Sequence, residues 1–334
     1  MPDSGKTLLR PVIAFGALSL FFAWYARIEL KRYPVGPAQI AGIYVCLLLL
    51  LALYLAPGFA VSRTWMVRKL HGIRGALVCL GVFLFPYLVY ATGTGDFRVR
   101  AFGELLAIAA VPIGLFAVSP VRLPRQINWQ DGVVLLWWMT PVFAGWIGGI
   151  WNVPVNLDPM ARLFLVAVGA WSFLVFRGIQ DSGYEFRFSP ETLRDALLNL
   201  GGFTVIALPP GIAIGFIGWH PQWRGAVAFG ADFLGIFLFV AIAEELFFRG
   251  LLQNLLEGSL RSRYGAQAVT AVLFGLSHIR HAPYPNWRYV ALATVAGWFY
   301  GSAYRRHRSL MASALTHGLV DTLWRTFLTM PVHH

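Results

Sequence analysis

Stretches of about 20 mostly apolar residues recur from end to end of this chain, and each is long enough to cross a hydrocarbon core about 30 Å thick. Inside such a core a segment must satisfy its own backbone polar groups, which leaves the helix as the spanning form. The stretches lie near Pro11–Ala26, Ala38–Val61, Gly72–Gly93, Ala101–Ser119, Gly132–Trp151, Ala161–Ile179, Leu197–Trp219, Ala226–Leu256, Tyr264–Ala282, Arg288–Tyr304 and Leu310–Thr329. The fold class expected is therefore all-α, a polytopic transmembrane helix bundle of roughly ten or eleven spans. Pro141 and the pair Pro209–Pro210 fall inside two of these stretches and are expected to disturb them.

Composition agrees, with 57% hydrophobic and 15% aromatic residues against 13% charged among 334, values of a multi-span membrane protein rather than a soluble globule. A net charge of +12 would point to nucleic acid in a soluble protein. Here the basic residues are scattered through short loops, so they read as topology signals and anionic-lipid contacts, with no nucleic-acid partner expected. Lys6 and Arg10 precede the first stretch, and no small-residue cleavage site stands before Arg27, so the first span is expected to stay attached. With eleven spans and the N-terminus inside, more of the Lys and Arg residues fall on the inner side, Arg63, Arg68, Arg177 and Arg187 among them. A multi-pass protein of the cell membrane with a cytoplasmic N-terminus is expected. Cys46 and Cys79, the two cysteines, both lie inside expected spans, which leaves neither a disulfide framework nor a cysteine-based metal site.

The clearest polar interlude is RGIQDSGYEFRFSPETLRDAL, Arg177 to Leu197, with four acids and three arginines around Pro190. It reads as a loop followed by a short interfacial helix starting near Ser189. It divides the chain into residues 1–196, an N-terminal bundle of unassigned role, and residues 197–334, where ionisable groups suited to chemistry occur.

Three constellations stand in that second part. In AEELFFRG, residues 243–250, Glu245 and Arg249 are four apart with the acid first, the order in which an ion pair forms along a helix face. Glu244 lies about 100° round from Glu245 and is left for another use. The second is FGLSH, ending in His278. The third is HGLVD, which sets His317 and Asp321 on one helical face. At about 1.5 Å per residue, Glu244 lies about 20 Å from Glu257, His278 about 21 Å from Tyr264 and His317 about 15 Å from His307. The three groups thus fall at similar depth and are expected to meet. Singly, a buried ion pair is a structural lock and a histidine in a span is a helix-to-helix hydrogen bonder. Three separate spans each carrying such costly groups point to function.

The ordered trio E-E-x-x-x-R, F-x-x-x-H and H-x-x-x-D resembles the CAAX prenyl protease and bacteriocin-processing (CPBP, or Abi) family of glutamic-type intramembrane endopeptidases. The likeness covers about Ala226 to Thr329. It implies an intramembrane protease acting on membrane-associated protein or peptide substrates. Glu244 and His278 would hold and deprotonate the attacking water, His317 with Asp321 would stabilise the oxyanion, and Glu245 and Arg249 would support them. An ionised aspartate accepts but cannot donate, so either Asp321 stays protonated or it stands behind His317 and orients it; the orienting role is preferred. No cofactor is expected. Zinc is the alternative, with Glu244, His278 and His317 as ligands, although no H-E-x-x-H pair is present. Two other classes compete: a proton-coupled transporter using the same buried acids and histidines, and a non-catalytic immunity or binding protein of the same fold. A transporter is expected to carry inverted repeats, and none is visible.

Overall fold

The computed structural model describes residues 4–29, 32–119 and 121–329, and side chains before residue 11, those of Lys6 and Arg10 among them, lie outside the described residues. The described residues are almost entirely helical, apart from one two-residue antiparallel pair, β1 (Gly218–Trp219) with β2 (Leu328–Thr329). Among the described residues, seven helices are long and apolar enough to cross a membrane: Pro11–Ile28, Pro37–Gly58, Gly72–Thr94, Val99–Val118, Asp158–Phe176, Pro190–Ala213 and Ala226–Leu260. The remaining expected spans are helices as well. Two have only 15 residues each, Trp129–Phe143 and Arg263–Ser277. Two others, Trp287–His307 and Leu310–Phe327, reach spanning length but carry arginines and the polar residues of the site. Side chains such as Leu20, Leu77, Leu136 and Val205 stand exposed on helix surfaces, as lipid-facing positions do.

The chain forms two compact units. The first comprises residues 1–124 and 128–179, with α1 (Ser4–Glu29), α2 (Pro37–Leu55), α3 (Ala60–Lys69), α4 (Gly72–Thr94), α5 (Val99–Val118), α6 (Trp129–Phe143) and α7 (Asp158–Trp171). Pro37 opens α2 at its first turn, where its missing N–H costs nothing. Helices α2 and α4 approach closely at two glycines: a Cβ on Gly42 would lie 2.8 Å from the Gly93 Cα. Asp131, at the start of α6, and Arg177, after α7, form a bidentate pair at 3.0 and 3.2 Å with both side chains fully buried.

The second unit comprises residues 125–127 and 180–334. Its first helix, α8 (Pro190–Ala213), is capped by Ser189, whose hydroxyl accepts from the Thr192 N–H. The short interfacial helix expected there instead continues unbroken through the start of the next expected span. A continuous helical run follows, made of α9 (Ala226–Ile236), a π-helical stretch (Phe237–Ala241), α10 (Ile242–Glu245), a second π-helical stretch (Leu246–Gln253) and α11 (Asn254–Leu260). Helices α12 (Arg263–Ser277), α13 (Trp287–His307) and α14 (Leu310–Phe327) complete the unit. Phe203, Phe248, Phe274, Ala293, Ala296, Tyr300 and Val320 form a buried apolar cluster among α8, α12, α13, α14 and the second π stretch. That cluster borders the site.

Candidate active site

A cavity of about 240 Å³ lies in the second unit, and Glu244, His278, His317 and Asp321 all line it. The meeting expected from depth is thus realised, by a different local geometry at one of the four. His278 is not mid-helix. It is the residue that ends α12, and the chain then turns through Pro283 and Pro285 to Asn286, the cap of α13. The helix therefore stops five residues short of the expected span to Ala282, before Pro283 and Pro285 are reached.

Glu245 and Arg249 pair at 2.8 Å with both side chains fully buried. Arg249 also donates to the Gly297 carbonyl at 2.9 Å and lies over the Phe274 ring, 4.6 Å from its centroid. Glu245 does more than the spacing implies. The same oxygen that meets Arg249 lies 2.8 Å from His317 Nδ1, and its other oxygen accepts from the Ser313 hydroxyl. One buried carboxylate therefore ties α10 to α14 and to Arg249.

With Nδ1 of His317 taken by Glu245, its Nε2 faces the cavity. Asp321 Oδ2 lies 3.3 Å from that nitrogen and Glu244 Oε2 lies 4.0 Å from it. Asp321 was expected behind His317, but the carboxylate behind that ring is Glu245, and Asp321 meets it from the opposite, cavity side. The reason is helical geometry, since residues four apart share a face and Asp321 therefore lies on the same side as the exposed edge of the ring. The His317 side chain is only 3% exposed, whereas those of Glu244 and Asp321 are 35% and 39% exposed. Glu244 Oε2 is itself buried with no hydrogen-bond partner.

His278 Nδ1 lies 2.8 Å from the Phe274 carbonyl, which can only accept, so Nδ1–H is the donor there. Its ring stacks on Tyr289 at 5.5 Å and on His281 at 5.6 Å. Burial first, and then the neighbouring His278, hold His281 below the usual histidine range.

Three residues of the site went unread in the sequence. Tyr300 stacks on His317 with ring centroids 4.6 Å apart and planes 13° apart. Tyr289 walls the cavity beside His278, and Ser313 holds Glu245. A signal existed for the tyrosines: positions 289, 293, 296 and 300 fall at helical spacing on one face of α13, and all four line the cavity. Among the described residues, no group of three His, Cys, Asp or Glu is set to hold a metal ion.

Residues 226–323 match the family model described as "Type II CAAX prenyl endopeptidase Rce1-like". All three motifs fall inside that stretch, and the resemblance drawn from them is borne out. A 231-residue region is also 27% identical to "Nucleotide-sugar uncharacterized transporter 2" of Arabidopsis thaliana, covering 69% of this chain and 45% of that protein. The chain thus spans about half the length of this curated relative. No solved structure matches.

Proposed function

We propose that the cavity of the second unit is the active site of a CAAX-type intramembrane endopeptidase. The observation that carries this reading is the convergence of Glu244, His278, His317 and Asp321 on one cavity, within the stretch that matches a family of prenyl endopeptidases. Glu244 offers an unpartnered carboxylate oxygen, and a buried acceptor without a donor is the natural seat for a proton of water or substrate. His278, protonated on Nδ1 toward the Phe274 carbonyl, presents an Nε2 lone pair to the same water. Together the two act as general base, and the proton they take is later delivered to the leaving amine.

His317 supplies the charge that stabilises the tetrahedral oxyanion. Both of its nitrogens face carboxylate oxygens, so the ring carrying both protons is the form that satisfies both. Glu245 is neutralised by Arg249, and Asp321 balances the imidazolium. As negative charge grows on the substrate oxygen, the Nε2–H turns from Asp321 to it. Every role is filled by side chains, and catalysis without a metal is part of the proposal. If zinc acts here, Glu244, His278 and His317 are its ligands and Glu244 ceases to be the base.

The test uses purified full-length protein in detergent with membrane-anchored peptides, lipidated and unlipidated side by side. Glu244→Gln, His278→Ala and His317→Ala are each expected to lose about 100-fold or more in turnover, with Glu244→Gln unfolding at the wild-type temperature. Turnover is expected to survive chelation. Undiminished cleavage by Glu244→Gln sinks the mechanism, and loss of activity on chelation with recovery on zinc replaces it by the metal form.

The transporter reading retains one specific support, the partial similarity to a protein named as a nucleotide-sugar transporter. Uptake by sealed vesicles containing the protein, with no cleavage of any peptide, would favour it. For the span count we propose that α6, α12, α13 and α14 also cross, which adds four to the seven and gives eleven.

A further inference from the structure

Oxyanion holes are built from several donors aimed at one point, and the mechanism above supplies one, His317 Nε2. A second donor lines the same cavity, the phenol of Tyr289. Its position follows from how the chain turns between α12 and α13. Buried Asn286 closes that turn three ways. Its N–H donates to the Ile279 carbonyl at 3.1 Å, its side-chain amide donates to the Ala282 carbonyl at 3.1 Å, and its Oδ1 accepts from the Tyr289 N–H at 3.0 Å. The first turn of α13 is thereby tied to the residues just after His278. The Tyr289 ring lies nearly parallel to two imidazoles, 20° from His278 with centroids 5.5 Å apart and 19° from His281 with centroids 4.4 Å apart. Those stacks fix the plane of the ring, and with it the line along which the hydroxyl projects.

The hydroxyl itself is uncommitted. Among the described residues it has no hydrogen-bond partner, while the carboxylates of Asp321 and Glu244 both act on it electrostatically, Asp321 the more strongly. His317 Nε2 faces Asp321 as well, at 3.3 Å. Two donors from different helices, α13 and α14, thus border one carboxylate, an anionic acceptor like the oxyanion that is to form. A phenylalanine would stack on the imidazoles and wall the cavity equally well, so the oxygen is what remains for chemistry. We propose that Tyr289 is a catalytic residue, the second oxyanion donor: its O–H and the His317 Nε2–H together receive the substrate carbonyl oxygen as it gains charge, and Asp321 gives way to it. The proposal rests on the endopeptidase reading and adds a residue to its chemistry. The phenol keeps its proton throughout, since it ionises only in strongly alkaline solution, and Glu244 and His278 carry the proton traffic.

The experiment compares the full-length wild type with Tyr289→Phe in detergent, a change that keeps the ring and both stacks and removes one oxygen. With a membrane-anchored peptide, Tyr289→Phe is expected to lose about 100-fold in kcat, the effect of one missing oxyanion donor, with KM and unfolding temperature unchanged. Affinity for a tetrahedral analogue is the readout that a structural role would not move. A phosphinic peptide of the same sequence carries anionic oxygens where the oxyanion forms, and its Kd is expected to rise in Tyr289→Phe by the factor lost in kcat/KM, because both report the same stabilisation. The uncut peptide, bound to Glu244→Gln protein, is expected to show one Kd with Tyr or Phe at position 289. Wild-type kcat in Tyr289→Phe overturns the proposal. So does a fall in kcat without a matching rise in the Kd of the phosphinic peptide, which would make the phenol a support for His278, and so does an equal loss of affinity for the uncut peptide. Absence of all cleavage by the wild type would instead defeat the protease reading. The phosphinic peptide then still decides: weaker binding in Tyr289→Phe upholds the donor, and equal binding, or binding to neither protein, overturns it.

Discussion

At the scale of single residues, Glu245 has the largest structural burden. It compensates Arg249 in a site where both are fully buried, and it holds both His317 and Ser313. Removing one partner of such a pair leaves the other charge uncompensated in low dielectric, which costs about 3–5 kcal/mol. Glu245→Ala is therefore expected to lower folded yield and unfolding temperature and to stop turnover, because His317 loses the acceptor that sets its ring. Glu244→Gln is expected to do the reverse, keeping stability and losing activity, since the Glu244 side chain is about one-third exposed and its Oε2 has no hydrogen-bond partner. Thermal unfolding in detergent, run on both variants alongside the peptide assay, checks this division. Equal stability of the two would remove the distinction between supporting and reacting acids.

At the scale of elements, the position of His278 depends on how α12 meets α13. Gly275, three residues before it, faces α13 so closely that a Cβ there would meet the Val290 carbonyl oxygen at 2.6 Å and the Thr294 nitrogen at 3.0 Å. Those are backbone atoms on a packed helix, and they cannot swing aside as a flexible side chain does. Gly275→Val is expected to push the end of α12 outward, carry His278 out of register with Glu244, and reduce turnover by at least about tenfold, since small misplacements of a reacting group are costly. Gly265→Ala, at the other end of α12, is the control: the nearest atom to its Cβ is the Ser262 hydroxyl oxygen at 3.0 Å. Its turnover is expected to be near that of the wild type. Wild-type kinetics in Gly275→Val would mean that His278 tolerates displacement and is not part of the base.

At the scale of the whole molecule, the proposed crossing of α6 is what decides on which side of the membrane the loop after α7 lies. Its 15 residues measure about 22 Å, short of a hydrocarbon core about 30 Å thick. The Asp131–Arg177 pair supplies the missing constraint. At 3.0 Å it holds the start of α6 and the end of the 158–176 span at one membrane level. On the proposed span count the chain then reaches the opposite level between residue 131 and residue 158. A protease-accessible tag inserted after Gly178 is expected on the same side as the N-terminus, with six crossings before it. A tag on the opposite side would mean that α6 does not cross and that the inner count of arginines must be redrawn.

Much of this was legible in the chain itself. Apolar length fixed the helical membrane class, because a backbone in lipid has few other ways to satisfy its polar groups. The four-residue spacing of Glu245 and Arg249 foretold their pairing, since contacts along one helix are set by local geometry. Ser189 before Pro190 marked the start of α8 for the same local reason. The three motifs on separate helices of the second unit identified Glu244, His278, His317 and Asp321 as candidates, and they line one cavity. Tertiary structure alone decided what each faces. That Glu245 serves His317 as well as Arg249, that Asp321 lies on the cavity side of that ring, and that Tyr300 stacks on it all depend on helices distant in sequence. Spacing within a helix sets which residues share a face, whereas the face that meets another helix is chosen by packing over the whole unit, where small residues such as Gly275 permit an approach that nothing local in the chain reveals.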